Sequence, residues 1–140
     1  MHTTNYFNTF IAVAPDCAKL QGTPPKESAK PSIALMTFRL IHDHPYHYTS
    51  DDVLFRVHAE RNAIAASEQG QARQTYFAKP QACLRSSDLG KRYGWGIHHD
   101  AEGRVAIYGM ESDEYAALAL GKGLTGHSKP AVVYAMRSKR

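Results

Sequence analysis

The sequence predicts an α+β domain, with a small, mostly antiparallel sheet and helices mainly on one face. Three observations lead to it. Aromatic and β-branched residues crowd the stretches Asn5 to Ala14 and Ala131 to Met136, and such residues suit strands. Between them, Trp95 to Tyr108 reads as two short strands around Asp100-Ala101-Glu102-Gly103, a turn in which Gly103 suits a left-handed backbone. Helical spacings fall between these strands without regular alternation, which favours α+β. The 140 residues suit a single domain, 1–140, with one core.

The elements follow in chain order. The first strand, within 5–14, carries Tyr6, Phe7, Phe10, Ile11 and Val13 with few charges, so it belongs in the middle of the sheet. Pro15 ends it. Residues 15–31 contain Pro15, Pro24, Pro25 and Pro31 and form a Pro-rich loop, expected to be the most mobile stretch. Ser32 caps a helix whose Ile33, Met36, Leu40 and Ile41 share one face, and Pro45 closes it. Thr49-Ser50-Asp51-Asp52 starts a second helix. Its cap hydroxyl accepts amide protons, and its first-turn carboxylates suit the dipole. Val53, Leu54, Val57 and Ile64 carry this helix to about Ser67, with Phe55 on a flank.

Gly70 breaks the pattern, and Ala72 to Ala78 reads as a short helix. The central hairpin comes next, with Ile97, Val105 and Ile107 on one apolar face. Ser112 then caps a helix from Asp113 to about Leu120, with Tyr115 and Leu118 on one side. Gly121, Gly123 and Gly126 make a flexible connection to the last strand, which closes on Arg137-Ser138-Lys139-Arg140.

The chemistry-bearing stretch is Cys83 to Tyr108. Arg85, Ser86, Ser87, Lys91 and Arg92 gather cations and hydroxyls within eight residues, a donor set that matches phosphate or carboxylate oxygens. The bland alternative is a solvated turn with Arg stems over apolar surface. The run is no Walker loop, because Arg85 and Arg92 stand where Gly and Ser or Thr are needed. Trp95, the only tryptophan, lies between Gly94 and Gly96, which permits close approach of backbone or ligand. Tyr93, Trp95 and Tyr108 could stack a planar ligand beside Arg92, or could equally be core.

Several histidines bear on metal and proton chemistry. His42, His44 and His47 lie in HDHPYH. The hydrolytic His-x-His-x-Asp-His pattern fails at Tyr46, and a solvated helix end is the preferred reading, so no metal is expected. His98 and His99 are adjacent on a strand and point to opposite faces. With Ile97 on the core side, His99 shares that side, and His98 takes the solvent or ligand side. His58-Ala59-Glu60 resembles the zinc deaminase His-x-Glu, but the Pro-Cys-x-x-Cys partner is absent. Cys83 beside Arg85 could be nucleophilic, though a buried structural thiol is the commoner case.

The segments CLRSS-x-LGKRYGWGIHHD-x-EG, YG-x-ES-x-EY, AMRSKR, NTFIAVAPDC and PY-x-YTSDDVLF together resemble a family of small bacterial proteins of unknown function. The likeness covers most of the chain, weakest over 20–32 and 62–75. It implies neither an activity nor a cofactor.

Net charge is +4 with His neutral, which permits anionic partners without demanding them. No apolar run reaches the roughly 20 residues of a membrane span. No signal peptide is evident, and two cysteines make no disulfide framework, so a reduced cytoplasm is expected. The leading expectation is a cytoplasmic module for an anionic small molecule or nucleic-acid phosphate. Its site would be Arg85, Ser86, Ser87, Lys91, Arg92, Tyr93, Trp95 and His98, with Arg137. The alternatives are a small enzyme using His98 with Cys83 or Ser86, and a protein-interaction or homodimerisation domain using a sheet edge.

Overall fold

The computed structural model describes residues 1–138. Four strands, β1 (Thr9–Ala12), β2 (Trp95–His99), β3 (Val105–Gly109) and β4 (Ala131–Tyr134), form one sheet in the order β3-β2-β1-β4. The β1–β2 and β2–β3 pairs are antiparallel, and β1–β4 is parallel. The fold is α+β with a mostly antiparallel sheet, and β1 lies inside it. The hairpin turn closes as its residues demand. Asp100 accepts from the Glu102 and Arg104 amides through Oδ1, and Gly103 has φ 81°.

Among the described residues five α-helices accompany the sheet: α1 (Ile33–His42), α2 (Ser50–Arg61), α3 (Gln69–Phe77), α4 (Asp88–Lys91) and α5 (Asp113–Ala119). Ser32, Thr49 and Ser112 each accept a backbone N–H at the start of α1, α2 and α5. Asp52 completes a capping box with Thr49. Two elements depart from expectation. α2 ends at Arg61, not near Ser67, because Ala63 turns to φ 50° and the Ile64 amide bonds back to Ala59. α3 begins at Gln69 and takes in Gly70. Phe55, expected on a flank, is buried with Ala59 and Phe77 where α2 meets α3.

Register sorts the core into two layers. Ile11, Ile97 and Ile107 stand opposite one another and pack with Ile41, Val53, Leu84 and Leu89 beneath α1, α2 and α4. Phe10 stands opposite His98 on the other face, where Leu118 of α5 closes a smaller cluster with Phe10 and Ala12. α5 is the helix of that second face. Contacts from the folded body reach into the Pro-rich loop. Near its middle, Gly22 N–H donates to Glu111, Thr23 N–H donates to the Tyr93 carbonyl, and Pro25 is buried.

Candidate functional site

The Cys83–Trp95 stretch spends most of its polar groups on the fold. Arg85 Nε donates to the Tyr134 carbonyl at 2.8 Å, tying it to β4. Ser86 Oγ lies 3.1 Å from Met136 Sδ. Ser87 caps α4. Arg92 faces Asp88 at 3.6 Å. The Tyr93 carbonyl holds Thr23, and Trp95 Nε1 donates to the Thr23 carbonyl at 2.9 Å. Trp95 packs against Phe38 and His42 of α1. Lys91 closes α4 and Arg137 follows β4 as an exposed residue. Lys139 and Arg140, at the end of the basic tail, lie outside the described residues.

His98 is separated from the indole by the sheet. Trp95 faces α1, whereas His98, three residues on along β2, faces the opposite layer. The same alternation separates His98 from Cys83. Cys83 Sγ meets the Tyr6 hydroxyl at 3.2 Å, and Tyr6 packs edge-on to His99, at 5.3 Å between ring centroids. Burial, helped by the Cys83 contact, raises the Tyr6 phenol, and Arg85 opposes the shift. Cys83, Ser86 and Ser87 instead line an apolar cleft of about 260 Å³ with Ile33, Ala34 and Leu54.

His98 is the chief correction. It is not on a solvent side: its exposure is 0%. Its Nδ1 lies 2.7 Å from the Tyr46 hydroxyl, which also meets the Tyr108 hydroxyl at 2.9 Å. Burial lowers His98 to about 4, the neighbouring His127 pushes the same way, and Asp100 opposes. Burial and the Tyr108 contact drive the Tyr46 phenol far above its ordinary range. Both groups are therefore neutral near pH 7, as a low-dielectric site requires. His99 is also buried, and burial takes it to about 4.

Cationic side chains converge elsewhere. α2 and α3 enclose a cleft of about 380 Å³ that Arg56, Arg73, His47 and Gln69 line above Tyr48 and Phe55. The Arg56 guanidinium lies over the Tyr48 ring at 4.6 Å. Arg73 bonds Asp52 at 2.9 Å and lies over Phe55 and Phe77. Burial alone would raise Asp52. The Thr49 amide and Arg73 outweigh burial and hold the carboxyl below its usual range.

A family model described as a family of unknown function, DUF6157, matches residues 1–140. The chain belongs to that family. Comparison with curated proteins and with solved structures finds no match. Among the described residues no helix is long and apolar enough to cross a membrane, and no group of three or more His, Cys, Asp or Glu is arranged to hold a metal ion. His44 and His47 lie 6.0 Å apart, while His42 stacks on Phe38.

Sequence reasoning missed Tyr46, His127, Arg56 and Arg73. Tyr46 and His127 come from loops far apart in sequence, and no local spacing brings them to His98. Arg56 carried a weak signal: it lies seven residues after the Thr49 cap, next to Phe55, on a helix whose next partner was not evident.

Proposed function

We propose that this protein binds an anionic ligand, either a phosphorylated small molecule or the phosphates of a nucleic acid, in the cleft between α2 and α3. One observation carries the reading: two guanidinium groups and the His47 imidazole meet over an aromatic floor. Guanidinium presents a planar fork of donors that matches phosphate oxygens. Among the described residues Arg56 enters no ion pair; it rests on Tyr48 and lines the cleft. Tyr48 supplies the aromatic surface that holds the Arg56 guanidinium at the cleft. The net charge of +4 draws anions toward the surface. Cys17 and Cys83 are both free thiols, which supports a reducing compartment such as the cytoplasm.

The test is equilibrium binding of inorganic phosphate, AMP, ATP and a fluorescent single-stranded RNA to wild type and Arg56→Gln. A charge-assisted contact is worth about 1.5–3 kcal/mol, so the variant loses roughly tenfold to a hundredfold in affinity. A steep fall with salt for the RNA, against a shallow one for ATP, assigns the ligand to nucleic acid. The reading fails if wild type binds none of the four at about 50 mM salt, or if Arg56→Gln binds as wild type does.

A further inference from the structure

His98 carries a ring nitrogen that nothing in the fold satisfies. Nε2 is buried without a hydrogen-bond partner, while Nδ1 is held by Tyr46. An orphaned polar atom costs about 1–3 kcal/mol, and folded proteins keep few of them. A second cost falls at the same place. Tyr46 has φ 56°, a left-handed conformation that costs a side-chain-bearing residue about 1–2 kcal/mol. Such costs persist where the surrounding structure enforces them, and they cluster at ligand sites.

The His127 imidazole covers this point. It stacks on Tyr46 at 4.6 Å with the rings 29° apart, and lies edge-on to His98 at 5.2 Å. His127 belongs to the segment joining α5 to β4, residues 120–130, which holds no strand or helix. Gly126, its neighbour, has φ 84° and nothing within 4 Å of a Cβ position. Outside His127 lies an open cleft of about 170 Å³, shared with Asp100, Glu102 and Ser128. The His127 imidazole thus lines an accessible cleft and packs on the buried ring that carries the unsatisfied nitrogen.

We propose that His127 is a built-in plug, and that a planar, amino-substituted heteroaromatic ring replaces it, stacking on Tyr46 and hydrogen-bonding to His98 Nε2. The chemistry of the walls selects this class. Tyr46 already holds a flat five-membered heterocycle at stacking distance. An in-plane heteroatom meets the Nε2 requirement, and a hydrocarbon ring does not. The carboxylates of Asp100 and Glu102 at the outer cleft favour an amino donor. Burial keeps His98 uncharged, so its contact with the ring is a neutral hydrogen bond. Plug release moves the segment about Gly126 and leaves the sheet in place.

The experiment titrates 2-aminobenzimidazole, cytosine and adenine, with toluene as the control, into wild type, His127→Ala and His98→Phe. Histidine ring signals are followed by NMR. The expected result is saturable binding of at least one heterocycle to wild type, with His98 shifts and no response to toluene. Removing the plug also removes the cost of opening it, so His127→Ala binds roughly tenfold more tightly. His98→Phe binds none. No binding to wild type, equal affinity in His127→Ala, equal response to toluene, or binding that survives His98→Phe each overturns the proposal. Should His98→Phe fail to fold, Tyr46→Asn serves instead, since Asn tolerates left-handed backbone and lacks the stacking ring. Binding that persists in Tyr46→Asn is equally fatal.

Discussion

Adjacent imidazoles on one strand end up in different layers, and both pay for burial. His98 and His99 each have 0% exposure, and each is lowered from an ordinary 6.5 to about 4. Above pH 6.5 neither the folded nor the unfolded chain protonates them. As pH falls from 6.5 to about 4, the unfolded chain takes up two protons that the folded chain refuses, so stability falls through that window. For His99 alone the loss is on the order of 3 kcal/mol by pH 4. Denaturant midpoints from pH 7.5 to 4.5 measure it, and His99→Leu reduces the slope. A flat midpoint over the range would mean the rings are solvated. The opposite facing of the two histidines was legible from strand alternation. The place of His99 on the core side followed from it; the burial of His98 did not, because Tyr46 and His127 cover it from segments distant in sequence.

Elements with strong local signals formed where the sequence placed them. Ser32, Thr49 and Ser112 start helices, and Asp100 to Gly103 turns the hairpin, since a cap or turn is satisfied within a few residues. The end of α2 was less legible. Ile64 fits the helical period, yet it is drawn out by the return toward α3, and the buried pair is Phe55 and Phe77. The contacts of the Pro-rich loop were not legible in its composition: the indole and the Tyr93 carbonyl hold Thr23. Trp95→Phe keeps a ring and loses the Nε1 donor. It is expected to cost about 1 kcal/mol and to hasten limited proteolysis within 15–31. Cleavage at the wild-type rate would show that the clasp does not hold the loop.

Across the whole molecule, the sheet separates two layers, and at Gly96 the rings of the α5 layer press directly on the strand. A Cβ there would overlap the Phe10 ring and stand 2.7 Å from Tyr115 Cε2. Phe10 and Tyr115 are themselves packed edge-on at 5.2 Å. Gly96→Ala is therefore expected to destabilise by about 1–3 kcal/mol through overpacking, read as a lowered urea midpoint with unchanged slope. A neutral substitution would mean that α5 can lift from the sheet. The glycines beside Trp95 had suggested close approach of backbone or ligand; at Gly94 the approaching group is the Gln21 backbone, and at Gly96 it is the rings of the second layer.

Sequence by itself determined the class of fold, the strands and their turn, the starts of α1, α2 and α5 and the family, because each rests on spacing, caps or motifs carried within a short run of chain. Only tertiary structure decided which donors meet. Arg85 and Arg92 looked like ligand cations, yet they are turned to Tyr134 and Asp88. Arg56 and Arg73, on different helices, share a cleft. The parallel pairing of β1 with β4 and the stacking of His127 over Tyr46 join residues more than 80 positions apart. Side chains on successive strand positions face opposite ways, so nearness in sequence separated Trp95 from His98, and nearness in space was set by the packing of the layers.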